Sequence, residues 1–265
     1  MNLETKAKIT WCPGCSNFLI LKAFKEVIEE LEKEGIKKEE IVFTTGIGCH
    51  GKIFDYLNLS SFYGLHGRSI PLAQGIKLAN PKLKVISFVG DGDCYNEGIE
   101  HLLFAAKRNA DIKVFVFDNR NFALTVSQFT ATSPKGFKGT STPFGSLEEP
   151  FNPLELVFFA GATFIARTFT HEISHLKEMM KSAILHSGFA FLEILQPCIT
   201  FFDTTSFYKE KCYLLKNENL ESTNEALKKI REWDYKNGEK IPLGIFYKIK
   251  KPTFEDEFYR NKNNC

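Results

Sequence analysis

This 265-residue sequence lacks an excess of positive or negative charge, because it contains 34 lysine and arginine residues and 32 aspartate and glutamate residues. A chain that binds nucleic acid or an acidic membrane surface is typically basic. The sequence also lacks an apolar run of the roughly 18 residues that span a bilayer, and no apolar signal-peptide segment is visible at its N-terminus. We therefore expect no nucleic acid and no membrane as partners, and a cytoplasmic protein.

Cysteine is plentiful by contrast, with seven residues in the chain. In the cytoplasm, metal or redox chemistry explains them better than a disulfide framework does. A Cys-x-x-Cys pair presents two thiolates to one metal centre, and two later cysteines complete a four-thiolate site for zinc or an iron–sulfur cluster. The predicted metal ligands are Cys12, Cys15, Cys49 and Cys198, while Cys94, Cys212 and Cys265 stay outside the set.

Two other interpretations of these cysteines remain open at this point. The pair Cys12 and Cys15 precedes a predicted helix, as in dithiol redox motifs, although the strand that usually comes before such a motif is missing. Zinc held by the same four cysteines is the stronger alternative, because thiolate ligands alone do not distinguish zinc from iron.

Strand and helix patterns alternate along most of the chain. Strands are predicted over 41–45, 85–89, 112–117, 163–166 and 190–195, and helices over 17–35, 69–79, 98–108, 153–160 and 171–186, with Asn17 as the first N-cap. Such alternation implies right-handed βαβ units. The sequence therefore predicts an α/β fold, with a mostly parallel sheet and helices on both faces.

The alternation is lost near residue 200. We expect one cofactor- and metal-binding domain over residues 1–200 and a C-terminal arm or small element over residues 201–265, which is rich in lysine and glutamate. Residues 125–150 are rich in threonine, serine, glycine and proline. A loop this long is typically functional, and we expect it to cover a cofactor.

Polar residues follow two neighbouring predicted strands. The turn Gly90-Asp91-Gly92-Asp93 allows a diphosphate to approach the backbone closely, and Asn119 lies at the end of the next strand. Ligands of parallel sheets bind beyond the carboxyl ends of the strands. Because Mg²⁺ prefers hard oxygen ligands, the Asp91 carboxylate, the Asn119 amide and a nearby carbonyl form a suitable set.

Several motif blocks together resemble one family, the β subunits of 2-oxoacid:ferredoxin oxidoreductases. In the family's order, across residues 10–200, the blocks are Trp11-Cys12-Pro13-Gly14-Cys15, Gly46-Ile47-Gly48-Cys49, His66-Gly67-Arg68, Lys77-Leu78-Ala79-Asn80-Pro81, Gly90-Asp91-Gly92-Asp93, and Leu124-Thr125 with Gln128. The turn and Asp118-Asn119 also resemble the thiamine-diphosphate motif, in which Asp118 replaces a first asparagine. Further departures are Ser16, Glu97, Glu100 and Val126-Ser127, the last replacing a usually glycine-rich stretch.

The resemblance implies a thiamine-diphosphate-binding fold in which the four cysteines ligate a [4Fe–4S] cluster. It implies that Mg²⁺ is held by Asp91, Asn119 and the Asn121 carbonyl. The implied cofactor-binding residues are Gly46, Ile47, Gly48, His66, Gly67, Arg68, Gly90, Asp91, Gly92, Asp93, Asn119, Asn121, Leu124 and Thr125. The resemblance also implies that the catalytic residue Leu124 lies near the thiazolium ring. Lys52, three residues after Cys49, is a second candidate catalytic residue, because an ammonium near the cofactor offsets the charge of a substrate carboxylate. The alternative for Lys52 is a solvated loop lysine.

The implied reaction is oxidative decarboxylation of a 2-oxoacid, 2-oxoglutarate or pyruvate-like, to acyl-CoA and CO₂. Coenzyme A is the co-substrate, and ferredoxin or flavodoxin receives the electrons from the cluster. An α subunit is expected to supply the glutamate that faces the aminopyrimidine, because this chain has room for only one such domain. The alternatives are a non-oxidative thiamine-dependent decarboxylase or synthase subunit and a zinc-stabilised, non-enzymatic scaffold.

Overall fold

The computed structural model describes residues 3–216, 218–235 and 240–263. Its α-helices are α1 (Asn17–Lys33), α2 (Ser69–Ala79), α3 (Ile99–Arg108), α4 (Pro153–Ala160), α5 (Ile173–Leu185), α6 (Thr205–Lys211), α7 (Thr223–Ile230) and α8 (Phe254–Asn263). Its strands are β1 (Ile41–Thr45), β2 (Ser60–Tyr63), β3 (Lys84–Gly90), β4 (Ile112–Asp118), β5 (Phe164–Phe169), β6 (Ala190–Leu195), β7 (Cys212–Leu214) and β8 (Ile241–Lys248). Within these residues no helix combines the length and apolarity needed to cross a membrane.

One sheet runs through the described residues in the order β2-β1-β3-β4-β6-β5-β8-β7. Strands β1 to β6 are parallel to their neighbours, whereas β8 runs antiparallel to β5. The predicted mostly parallel α/β sheet is confirmed, and all five predicted strands are present. Strands β2, β7 and β8 are not among the predicted strands.

The central strands are buried on both faces. All seven residues of β4 are buried, which explains its nearly unbroken apolar sequence. Successive side chains point to opposite faces, so Phe115 packs in the core cluster that includes α1 and α5, and Val114 in the one that includes α2 and α3. Helices therefore cover both faces, as predicted.

The start of α1 differs from the prediction. Asn17 is not the N-cap but the first residue of the helix, and Ser16 occupies the capping position without a side-chain capping bond. The Ser16 hydroxyl instead donates to the Pro197 carbonyl at 3.0 Å. The start of α1 is thus joined to the segment that carries Cys198, and this tertiary contact replaces the local cap.

The C-terminal segment does more than extend from the domain as an arm. It adds β7 and β8 to the main sheet, and the start of its last helix, α8, lies at the amino end of β4. There the Glu255 carboxylate accepts the Asp111 N–H at 2.9 Å. Proline and glycine interrupt the apolar sequence of β8, so the sequence pattern does not predict a strand there. The predicted boundary at residue 200 stays a prediction, and Cys265 lies outside the described residues.

Candidate active site

A cavity of about 470 Å³ lies at the carboxyl ends of β1, β3 and β4. It is lined by Ile47, Gly48, Cys49, His50, His66, Gly90, Asp91, Gly92, Asp93, Phe117, Asn119, Asn121, Phe122, Ala123, Leu124 and Thr125. The position beyond parallel strand ends is the expected one.

Asp91 is a buried carboxyl group in the wall of this cavity. Burial raises the pKa of Asp91 to about 7, against the opposing effect of a 2.6 Å hydrogen bond from the Thr130 hydroxyl. No cationic side chain of the described residues is among the groups that dominate the pKa of Asp91. A buried carboxylate needs a counter-charge, and a divalent cation with oxygen ligands supplies one. The site therefore fits Mg²⁺.

Asn119 and Asn121 line the same cavity and are held by the loop that follows β4. Asn119 donates to the Gln196 side-chain oxygen at 3.2 Å, and its own oxygen accepts the Asn121 N–H at 3.2 Å. Between them, Arg120 adopts a φ of +60° and donates to the Tyr235 carbonyl at 2.7 Å. The C-terminal segment thereby fixes the loop on which two predicted magnesium ligands lie.

Asp118, which replaces the first asparagine of the thiamine motif, lies beneath this loop. It is fully buried and accepts a hydrogen bond from the Thr132 hydroxyl at 3.0 Å. Burial raises its pKa well above the usual range, and the neighbouring Asp91 carboxyl adds to the effect. A cation at this position would be attracted by two adjacent buried carboxyl groups, and would therefore be stabilised more than by Asp91 alone.

Asp93 organises the loops around the cavity. Its carboxylate accepts the Gly67 N–H at 2.7 Å and the Ile47 N–H at 3.2 Å. His66 Nδ1 lies 3.0 Å from it and His50 Nε2 3.4 Å. Burial raises the pKa of Asp93, but these two histidines outweigh that effect and hold the pKa below its usual range. The side chain thus joins three loops.

The four predicted cysteine ligands line a second cavity, of about 670 Å³. Burial raises the pKa of both Cys15 and Cys49 to about 11, whereas Cys12 is exposed. Across the three described ranges, no three His, Cys, Asp or Glu side chains form a group that could hold a metal ion. The chemistry of four thiols at one cavity nevertheless fits four-thiolate ligation.

The two cavities adjoin each other. Their shared lining residues are Cys49, Asn119, Ala123 and Leu124. A group bound by the cysteines and a group bound near Asp91 are therefore separated by little more than these side chains.

Two family models and several named relatives match this chain. The family model "Thiamine pyrophosphate enzyme, C-terminal TPP binding domain" matches residues 46–194, and the C-terminal model of the pyruvate ferredoxin oxidoreductase beta subunit matches residues 198–263. The subunit beta of 2-oxoacid:ferredoxin oxidoreductase 1 from Aeropyrum pernix is 38% identical, over 96% of this chain and 82% of its own length. The chain belongs to the β-subunit family of 2-oxoacid:ferredoxin oxidoreductases.

Two further family members extend the comparison. The 2-oxoglutarate synthase subunit KorB from Methanocaldococcus jannaschii is 35% identical, over 94% of this chain and 91% of its own length. A solved structure of 2-oxoglutarate:ferredoxin oxidoreductase from Magnetococcus marinus, with 2-oxoglutarate, coenzyme A and succinyl-CoA bound, superposes with a TM-score of 0.93 at 30% identity. That match covers 99% of this chain and 89% of the other.

Most of the predicted cofactor residues line the first cavity, but three do not: Gly46, Gly67 and Arg68. The Arg68 guanidinium donates to the Glu97 carbonyl at 2.7 Å, so it is already engaged outside the cavity. Lys52 lines the cysteine cavity and donates to the Thr10 carbonyl at 3.2 Å.

Sequence reasoning missed several residues of the site. His50 lines the first cavity, and its signal was its position directly after Cys49 in the glycine-rich loop. Phe122 packs against Gly92, where an added Cβ would lie 2.2 Å from the ring. Thr130, which hydrogen-bonds Asp91, comes from the long loop expected to cover the cofactor. No local pattern distinguishes this threonine from its neighbours.

Proposed function

We propose that this chain is the subunit that binds thiamine diphosphate and an iron–sulfur cluster in an enzyme that oxidatively decarboxylates a 2-oxoacid. The observation that carries the proposal is the pair of adjoining cavities, one lined by Asp91, Asn119 and Asn121 and the other by four cysteines. Decarboxylation coupled to electron transfer requires the carbon chemistry and the electron acceptor to lie side by side.

The magnesium and diphosphate site follows from the first cavity. Asp91, Asn119 and the Asn121 carbonyl would hold Mg²⁺, and the glycines at 90 and 92 let the diphosphate approach the backbone. When bound, thiamine diphosphate supplies a carbanion that attacks a keto carbon and an electron sink for the loss of CO₂. Leu124 lines both cavities, and its apolar side chain would lie beside the thiazolium ring.

Lys52 is the proposed contact for the substrate carboxylate. It lies at the cavity that shares Leu124 with the diphosphate site, and its ammonium would offset the charge of the acid. Its present hydrogen bond to a backbone carbonyl is one that a carboxylate can replace.

The proposed metal group of the second cavity is a [4Fe–4S] cluster on Cys12, Cys15, Cys49 and Cys198. Its position beside the first cavity supports electron acceptance during the reaction, and we propose ferredoxin or flavodoxin as the next acceptor. The names of relatives include ferredoxin, which agrees with this assignment.

The proposed enzyme is completed by a second, α subunit, and we place it in the cytoplasm. Relatives are named β subunits, and no glutamate is among the described residues that line the diphosphate cavity. The glutamate that activates the aminopyrimidine would therefore come from the α subunit. The ligands of the Magnetococcus marinus enzyme support coenzyme A as co-substrate and a 2-oxoglutarate-like acid. The two family models, meeting between residues 194 and 198, support a domain boundary near residue 200.

Reconstitution with the α subunit tests the proposal. Anaerobically purified complex should reduce ferredoxin or a viologen dye only when 2-oxoacid and coenzyme A are both present. Asp91→Asn should remove at least 99% of this rate (roughly 3 kcal/mol of transition-state stabilisation), whereas Asp256→Asn, at the far end of the sheet, should not change it. Release of CO₂ without any electron acceptor would instead support the non-oxidative alternative.

A further inference from the structure

His50 is a buried residue to which the proposed chemistry gives no task. Only 5% of its surface is exposed, and it directly follows Cys49. Its ring lies between two glycine turns. A Cβ added at Gly48 would be 2.8 Å from the ring, and one added at Gly90 would be 2.7 Å from it.

The ring also lies close to the side chains of Asp93 and Phe117. Nε2 lies 3.4 Å from the Asp93 carboxylate, which also accepts the N–H groups of Ile47 and Gly67. The ring centroid lies 6.1 Å from that of Phe117, in an edge-on arrangement. The imidazole therefore fills the space between the loop after β1 and the turn after β3.

The ring of His50 gives the glycine at position 90 a second role besides the proposed approach of the diphosphate. The three atoms nearest to a Cβ built at Gly90 all belong to His50. Gly90 also needs no left-handed backbone, since it is not among the residues with positive φ. Close packing of the imidazole against the turn thus accounts for the absence of a side chain.

These contacts have a functional consequence that rests on the proposed function. The loop after β1 carries the cluster ligand Cys49, and the turn after β3 carries the diphosphate residues. We propose that His50 is a positioning residue that fixes these two segments against each other. Loading of the cysteine cavity then strengthens thiamine diphosphate binding through His50, and the reverse holds equally because binding couplings are reciprocal.

The experiment measures the dissociation constant of thiamine diphosphate with Mg²⁺ by calorimetry, in the reconstituted complex, before and after removal of the cluster with ferricyanide and a chelator. The variants are His50→Ala and the control His186→Ala. His186 is matched in burial, at 6% exposed, but packs against the amino ends of the strands. We expect cluster removal to weaken binding about tenfold in the wild type and in His186→Ala (about 1.4 kcal/mol). In His50→Ala, binding should be weak in both states.

A second comparison uses thermal unfolding, and its first variant keeps His50, so it remains informative if His50→Ala folds poorly. Gly90→Ala should lower the unfolding midpoint because its Cβ collides with the imidazole, and an unchanged midpoint would overturn the packing argument. In the His50→Ala background, Gly90→Ala should lower the midpoint by at most half as much, since the collision is removed.

The remaining outcomes separate this inference from the proposed function. If the wild-type complex binds neither thiamine diphosphate nor a cluster, both fall together. If the wild type binds both, but His50→Ala retains the wild-type dissociation constant and coupling, only the role of His50 is refuted.

Discussion

Replacing Arg167 with methionine should strongly destabilise this protein. Arg167 on β5 and Glu193 on β6 are direct partners across neighbouring central strands, and both side chains are completely buried. The Arg167 Nε donates to the Glu193 carboxylate at 2.6 Å, and the Tyr235 hydroxyl donates to the same carboxylate. Arg167→Met leaves the Glu193 carboxyl group buried without its cationic partner.

The expected loss follows from this burial. Removal of one member of a buried ion pair costs about 3–5 kcal/mol, because the remaining charge is uncompensated. The free energy of unfolding of a typical protein is only about 5–15 kcal/mol. The variant should therefore lose about a fifth or more of its stability. The guanidinium also lies 4.8 Å from the Trp233 ring, so docking of the segment that fixes Arg120 should weaken as well.

Urea unfolding followed by circular dichroism measures this effect. The double variant Arg167→Met/Glu193→Leu should be more stable than Arg167→Met alone, because it no longer buries an unpaired carboxylate. The control is Arg231→Met, which breaks a solvent-exposed pair with Glu155 and should therefore change the stability little. If Arg167→Met changed the free energy of unfolding no more than Arg231→Met, the buried-pair reasoning would be refuted.

Three further predictions concern single side chains. Lys52→Ala should raise the KM for the 2-oxoacid at least tenfold by loss of a charged contact (roughly 1.5 kcal/mol), while Lys38→Ala, which lies outside the lining of both cavities, should leave it unchanged. Equal KM values for the wild type and Lys52→Ala would exclude the role. Val126→Gly should raise the free energy of unfolding by about 1 kcal/mol, because Val126 has a φ of +69°, whereas exposed Leu147→Gly should bring no gain. Burial and Lys113 lower the pKa of His186 from 6.5 to about 4 in the folded protein. Between pH 6.5 and pH 4, the unfolded chain therefore binds a proton at His186 more strongly than the folded chain does. The free energy of unfolding of the wild type should therefore fall between pH 6.5 and pH 4 by about 1–2 kcal/mol more than that of His186→Gln. If urea unfolding gave the two proteins the same dependence of stability on pH, this prediction would be contradicted.

Much of the central fold could be predicted because its signals are local. Strand β4 is an apolar run buried on both faces, and α2 and α3 show helical spacing between strands. The edge of the sheet lacks such signals. Strand β2 is largely exposed, and β8 contains Pro242 and Gly244, so neither resembles a buried strand.

The site divides in a similar way. The ends of β3 and β4 place Asp91 and Asn119 at one cavity, because parallel strands have their carboxyl ends on the same edge. Arg68 was expected at the cofactor, yet its guanidinium contacts the Glu97 carbonyl, which only the folded loops bring near. The same holds for His50, whose surroundings come from the loop after β1, the turn after β3 and strand β4.

The most direct test of the central claim is the content of iron, acid-labile sulfide, zinc and thiamine diphosphate in the anaerobically purified complex. The adjoining cavities predict about four iron and four sulfide per chain, together with one thiamine diphosphate. Substitution of Cys198 by serine should lower the iron and sulfide and leave thiamine diphosphate bound. Zinc in place of iron and sulfide in the wild type would contradict the account.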